Sequence, residues 1–241
     1  MRVSGSRGLL AAAGVGGVLL GAAGMAFLAG PLGGGRDHAR VEEIVRDYLL
    51  ENPEIVTQAQ VRLQERETAK LIEANRALIE TPFGSAWAGA ADGDVVLVEL
   101  FDYACGYCRQ SNADVDRLLA EDKKLKVVWR EWPVLGEDSL AAAEASLAAA
   151  DQGRFRPFFD RLFEQGRPTA PALQAARSKT GVTPRGSDPR YRAEIEKNYE
   201  LARVIGATGT PTFIVGGKVL QGAVGYEVLK EAIAEARADL T

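Results

Sequence analysis

Only two of the 241 residues are cysteine and only one is histidine. Two thiols cannot make a disulfide framework, so the fold must rest on an apolar core. A closed structural zinc site needs four soft or nitrogen ligands, usually as two pairs. Cys105 and Cys108 offer one pair, and the lone His38 sits in a Gly-rich stretch as a solvated residue, so no metal site is expected. Excess positive charge is also lacking: 29 Lys and Arg against 33 Asp and Glu leave a net charge of −4. Nucleic-acid binders carry clustered positive charge, so no nucleic-acid partner is expected. Repeats and low-complexity segments are missing from the soluble part. What is present, 46% hydrophobic and 26% charged residues, is ordinary for a soluble globular protein. The length suits one domain with an appendage or two small domains.

One long apolar run breaks that picture. Between Arg7 and Arg36 lie 28 residues without a charge, including LLAAAGVGGVLLGAAGMAFLAG. A short basic start before such a run reads as a secretory signal or an uncleaved membrane anchor. The run reaches the ~20 residues that span a bilayer, while Ala22, Gly24 and Ala26 supply small residues spaced for cleavage. Residues 1–35, ending in a Gly-rich joint, are therefore read as signal or anchor. Either delivers the rest of the chain across a membrane.

Residues 36–80 turn helical. Val41, Ile44, Val45, Tyr48 and Leu49 recur on one helix face, and Asn52-Pro53-Glu54 reads as an N-cap, a proline and an acid opening a second helix. Seven basic and ten acidic residues interleave there, which reads as a solvated face. The segment is either a helical hairpin on the main domain or a stalk for a homo-oligomer through residues 39–80.

Residues 81–241 alternate strand and helix signals. A short first strand is expected near 83–87. VVLVELF, 95–101, is an apolar β-branched run bounded by Asp-Gly-Asp, hence a buried strand. It feeds directly into ACGYC, after which Val115, Leu118 and Leu119 mark a helix. KVVWREW is a second strand. A helix-rich stretch, about 137–206, separates it from PTFIVGG and KVLQGAV, a hairpin around Gly216-Gly217, and from a last helix over 226–240. The fold class is α/β.

The two cysteines could be inert buried thiols, a small structural ring, or a reactive pair. Closing so small a ring removes little unfolded-state entropy. The reactive reading explains the position: a strand hands over to a helix near Cys105, whose sulfur meets unpaired N–H groups and the positive helix end. Such a thiol is a thiolate near neutral pH. Cys108, one turn further in, would resolve the mixed disulfide that Cys105 forms.

Strand, CGYC and helix, followed far downstream by TGTPTF before a hairpin and terminal helix, resembles the thioredoxin fold. The long helical insertion is similar to that of the DsbA-like disulfide oxidoreductases, over about residues 94–240. The helical extension resembles that of the ScsC-like branch, some of whose members oligomerise through it. The resemblance implies that Thr210-Pro211 is a cis bond beside the cysteines whose neighbouring backbone binds substrate. It also implies that Glu99, interrupting an apolar strand, is a buried acid relaying protons to Cys108. Gly106-Tyr107 lacks the histidine of strongly oxidising members, and Thr210 before the proline is a feature of isomerases and reductases.

The expected activity is disulfide exchange with cysteine-containing exported proteins in the periplasm, with a membrane redox partner and no cofactor beyond the cysteine pair. A reductase or isomerase, a chaperone, and a copper-binding protein using soft thiolates are the alternatives.

Overall fold

The computed structural model describes residues 34–186 and 188–240. Residues 1–33 of the expected signal or anchor lie outside them, and no described helix is long and apolar enough to cross a membrane. The chain divides into two compact units, one ending at Gln60 and one beginning at Val61.

In the first unit, helix α1 (Gly34–Glu51) begins inside the segment expected to be a Gly-rich joint. Asp37 in its first turn complements the positive helix end. His38 is therefore helical, 82% exposed and 3.6 Å from Glu42. Val41, Ile44, Val45 and Tyr48 line one face of α1 and are exposed. Asn52 does not cap the next helix, α2 (Glu54–Ala74), as its sequence position implies. Its backbone N–H and its side-chain amide both donate to the Tyr48 carbonyl at 2.9 Å, so it closes α1 instead.

The second unit is built on a five-stranded sheet: β1 (Trp87–Gly89), β2 (Val95–Phe101), β3 (Leu125–Glu131), β4 (Thr212–Val215) and β5 (Lys218–Gln221). Their spatial order is β1-β3-β2-β4-β5, with only β2 and β3 parallel. A parallel pair needs a crossover, and α4 (Gly106–Glu121) provides it. The first strand starts later than expected because Gly84 turns the chain at φ +53°, where an added Cβ would lie 2.5 Å from the Ala150 carbonyl oxygen. Phe83 packs edge-on against Tyr191 instead, with ring centroids 5.9 Å apart.

Both sheet faces are covered, which is why β2 and β3 read as continuous apolar runs. On one face Leu97, Phe101, Val127, Trp129, Phe213 and Val215 pack against α4, α6 (Phe155–Glu164) and α9 (Tyr226–Ala238). On the other, Val98, Leu100, Val128 and Ile214 meet Ile72 of α2, Ile79 of α3 (Arg76–Glu80), and Leu201 and Ala202 of α8 (Pro189–Val204). The insertion between β3 and β4 is α5 (Glu137–Asp151), α6, α7 (Ala170–Thr180) and α8. The alanines of α5 face both ways, some joining the main core and others packing on Tyr191 and Ile195 of α8.

Arg130 ties α3 to the sheet. Wholly buried on β3, it donates from Nε to Ile79 O (2.9 Å), from Nη2 to Leu78 O and Thr81 O, and from Nη1 to Glu194 (3.0 Å) and Asn198 (2.9 Å). Carbonyls left over at the end of α3 thus find a partner. All five N–H donors of the guanidinium are used.

Candidate active site

Strand β2 ends at Phe101, and Asp102 and Tyr103 carry the chain to Cys105, the N-cap residue of α4, with φ −78° and ψ 119°. Helix α4 buries Cys108, Ser111, Val115 and Leu118, a single face at helical spacing. Cys108 is fully buried, whereas Cys105 keeps 6% of its surface. Both are free thiols. Arg109 of α4 donates to the carbonyls of Phe163 (3.2 Å) and Gly166 (2.7 Å), which fixes α4 against the end of α6.

The fold brings Thr210-Pro211 to this point. The bond is cis, and Cys105 Sγ lies 3.1 Å from the Thr210 carbonyl oxygen, to which its thiol form donates. Gln221 of β5 holds the approach to the turn: its Oε1 accepts from Thr208 N (3.1 Å), Thr208 Oγ1 (3.2 Å) and Thr212 Oγ1 (3.1 Å).

Acidity separates the two sulfurs. The Cys105 pKa falls to about 5, chiefly because the Cys108 thiol hydrogen-bonds to its thiolate; the Thr210 side chain and the N–H groups of Cys108 and Tyr107 add to this, against burial. Burial first, then the bond to Cys105 and the charge of Glu99, push the Cys108 thiol well up. At neutral pH one sulfur is a thiolate nucleophile that keeps a sliver of exposed surface and the other is a fully buried thiol.

Glu99 is a buried acid, as the resemblance implies. It lies in the middle of central strand β2, opposite Trp129 on β3 and Phe213 on β4, with no exposed surface. Trp129 Nε1 donates to its Oε2 at 2.9 Å, while Oε1 has no partner. Burial raises its pKa to about 8 despite the Trp129 bond. A ring cluster of Phe101, Tyr103, Trp129, Phe159 and Phe163, with neighbouring centroids 4.8 to 5.9 Å apart, walls this side from water.

The structure therefore brings together Cys105, Cys108, Thr210, Pro211 and Glu99. His38 belongs to α1, in the first unit. Among the described residues, no third potential metal ligand forms a group with the two sulfurs. Sequence reasoning missed Trp129, Gln221 and Asp102. Only Asp102 carried a local signal, an acid two residues before a free N–H at a strand end, the pattern of an Asx-turn.

Residues 96–234 match a family model described as DSBA-like thioredoxin domain, and residues 37–70 match one described as Copper resistance protein ScsC N-terminal domain. The Na(+)/H(+) antiporter NhaA 3 of Salinispora tropica is 32% identical over 160 residues, covering 61% of this chain and 24% of that protein. The chain thus spans about a quarter of the length of such antiporter relatives. Disulfide bond formation protein D of Bacillus subtilis is 27% identical over 168 residues, 62% of this chain and 76% of that protein. A solved linker-deletion variant of Proteus mirabilis ScsC matches with a TM-score of 0.70 and 25% identity, over 88% of this chain and 99% of that one.

Proposed function

The chain belongs to the DsbA-like family of thiol–disulfide oxidoreductases, and on that premise we propose that it exchanges disulfides with exported, cysteine-containing proteins through Cys105 and Cys108. The observation that carries the reading is the pairing of an acidified N-cap sulfur, Cys105, with a buried, high-pKa partner, Cys108, one turn inside α4. In the oxidising direction a substrate thiolate attacks Cys105 of the Cys105–Cys108 disulfide. The bond to Cys108 breaks, and Cys108 leaves with the electron pair. Glu99, neutral at pH 7, gives its proton to that sulfur. A second substrate thiolate then attacks the substrate sulfur of the mixed disulfide and releases Cys105 as a stable thiolate. Run backwards, Glu99 takes the proton from Cys108. The backbone of Thr210 and Pro211 flanks the reacting sulfur and would align the substrate chain.

Cys108→Ala should accumulate mixed disulfides with substrate proteins, and Cys105→Ala should accumulate none, read on non-reducing gels. Trapping by Cys105→Ala instead would reverse the assignment. A second reading, a reductase or isomerase kept reduced by a membrane redox partner, is favoured by Thr210 before the proline and by Gly106-Tyr107 between the cysteines. The reduction potential of the pair separates the two directions. A chaperone would keep its activity when both sulfurs are lost, and an insulin-reduction assay with a parallel refolding assay tests this.

The N-terminal reading places the catalytic part in the periplasm, anchored to the inner membrane or released by cleavage. The exposed apolar stripe of α1 supports self-association through residues 39–80. Ile44→Glu should shift the oligomer to monomer in sedimentation velocity and leave Cys105 acidity unchanged. Unchanged sedimentation would remove the stalk reading.

A further inference from the structure

Asp102 has no part in the exchange step described above, yet it sits at the centre of the turn that carries both cysteines. It is 2% exposed. Its carbonyl accepts from Cys105 N at 3.0 Å, and its N–H group points to the Cys108 sulfur and favours the thiolate there. The carboxylate is bonded more heavily still. Oδ1 accepts from Ala104 N (2.7 Å) and Ser139 Oγ (2.7 Å), and Oδ2 accepts from Val134 N (2.9 Å) and Leu135 N (3.0 Å).

Four donors converge on one buried side chain. A carboxylate offers four acceptor sites and no donor; an amide of the same shape must turn its NH2 group against at least one N–H group, whichever way it is flipped. The donors also come from two places, the cysteine turn itself and the segment from Val134 to Ser139 that leads from β3 into α5. Tyr103, the next residue, makes a parallel link: its hydroxyl bonds Ser146 Oγ at 2.8 Å, and Ser146 donates to Glu131 Oε1 at 2.7 Å. Ser139 and Ser146 are seven apart on α5 and so share one helix face. The cysteine turn is bolted to that face at two points.

We propose that Asp102 is the positioning residue of the redox turn, its carboxylate locking the N-cap geometry of Cys105 to the segment that enters α5. This inference rests on the exchange reading of Cys105. The N–H groups of Tyr107 and Cys108 reach the Cys105 thiolate only while residues 102–105 hold their two nested turns, one closed by the Asp102 side chain and one by its carbonyl.

Asp102→Asn tests the idea by the pH titration of the Cys105 thiolate, followed by absorbance near the thiolate band, with thermal stability measured alongside. Positioning predicts that the midpoint rises by about one pH unit and that the disulfide becomes about tenfold less oxidising against glutathione. A role through charge alone predicts the opposite sign, because removing a neighbouring anion favours the thiolate. A merely structural role predicts lower stability with an unmoved midpoint. Either of those results overturns the proposal. Ser139→Ala removes one donor and no charge and should raise the midpoint by a smaller amount. If Asp102→Asn does not fold, Ser139→Ala decides alone, a rise supporting the proposal and an unmoved midpoint overturning it. Wild-type exchange at Cys105 is measured first: its absence defeats the exchange reading itself, whereas its presence with unmoved variants defeats only the role of Asp102.

Discussion

Glu99 and Arg130 are near neighbours in the sheet, both buried and both ionisable, and they have opposite designs. Arg130, on the face that carries α3 and α8, satisfies every N–H it has. Burial lowers its pKa, and Glu194 and Glu131 partly restore it. Glu99, on the face that carries the cysteines, has one bond and one orphan oxygen. A buried polar group that is fully satisfied rigidifies its surroundings, and one left half-satisfied is held at a cost that a mechanism can use. One residue builds the scaffold, and the other keeps a proton ready.

Removing Arg130 should break the comparison most violently. Arg130→Met takes the donor from Glu194 Oε1, Asn198 Oδ1 and three backbone carbonyls, and should cost about 3–5 kcal/mol in urea unfolding, the range for breaking a buried ion pair. The Cys105 titration midpoint should not move, because the guanidinium lies on the other face. A moved midpoint with unchanged stability would invert the roles assigned to the two faces.

Trp129→Phe takes away the one donor that Glu99 has. It should cost about 1–3 kcal/mol, as for a buried acceptor left unsatisfied, and push the Glu99 carboxyl higher still. A pH profile of the resolving step should show its inflection moving to higher pH. An inflection that stays in place would mean that the indole bond does not govern the acid.

Glu99→Gln gives the sharpest test of sign. Below its ordinary value of 4.5 the carboxyl is protonated in folded and unfolded chains alike. Between there and about 8 only the unfolded chain ionises, so this group lowers stability as pH rises, and above 8 its contribution is flat. In the variant that slope vanishes, and stability relative to wild type should rise by up to about 1.4 kcal/mol per pH unit across the window. Glu131, raised to about 7 by burial, keeps its own slope of the same sign. Cys105, lowered to about 5, contributes the opposite one. Stopped-flow rates should show the step at Cys108 slowed and the first attack by Cys105 spared. Equal rates at every pH would leave Glu99 as a polar residue in a strand and nothing more.

The parts legible in sequence were those whose cause is local. VVLVELF reads as a buried strand because no face of it is polar except at Glu99, and its bounds are those observed. The N-cap position of Cys105 follows from a strand running into a helical pattern, and the hairpin follows from Gly216-Gly217, where Gly216 takes φ +56°. Illegible parts depend on meetings across the fold. Nothing in KVVWREW tells that Trp129 will donate to an acid 30 residues earlier, or that Arg130 will gather the carbonyls of Leu78, Ile79 and Thr81. Asn52 shows the limit from the other side: its pattern fits a cap for α2, and the Tyr48 carbonyl offered a nearer acceptor.

The three central strands share a numerical accident with a practical consequence. On β2, β3 and β4 the odd-numbered residues, Leu97, Phe101, Val127, Trp129, Phe213 and Val215, all fall on the side of the redox pair. Even-numbered Val98, Leu100, Val128 and Ile214 fall on the other. Chemistry and scaffold are thus sorted by parity, and parity is what a one-codon insertion or deletion destroys. Losing one residue from the Asp122–Lys124 turn, if β3 slid to absorb the loss, would withdraw the indole from Glu99 and swing a guanidinium into its place. The neutral acid would become a fixed anion. Substitutions in these strands can be tolerated one at a time; frame within the strand cannot.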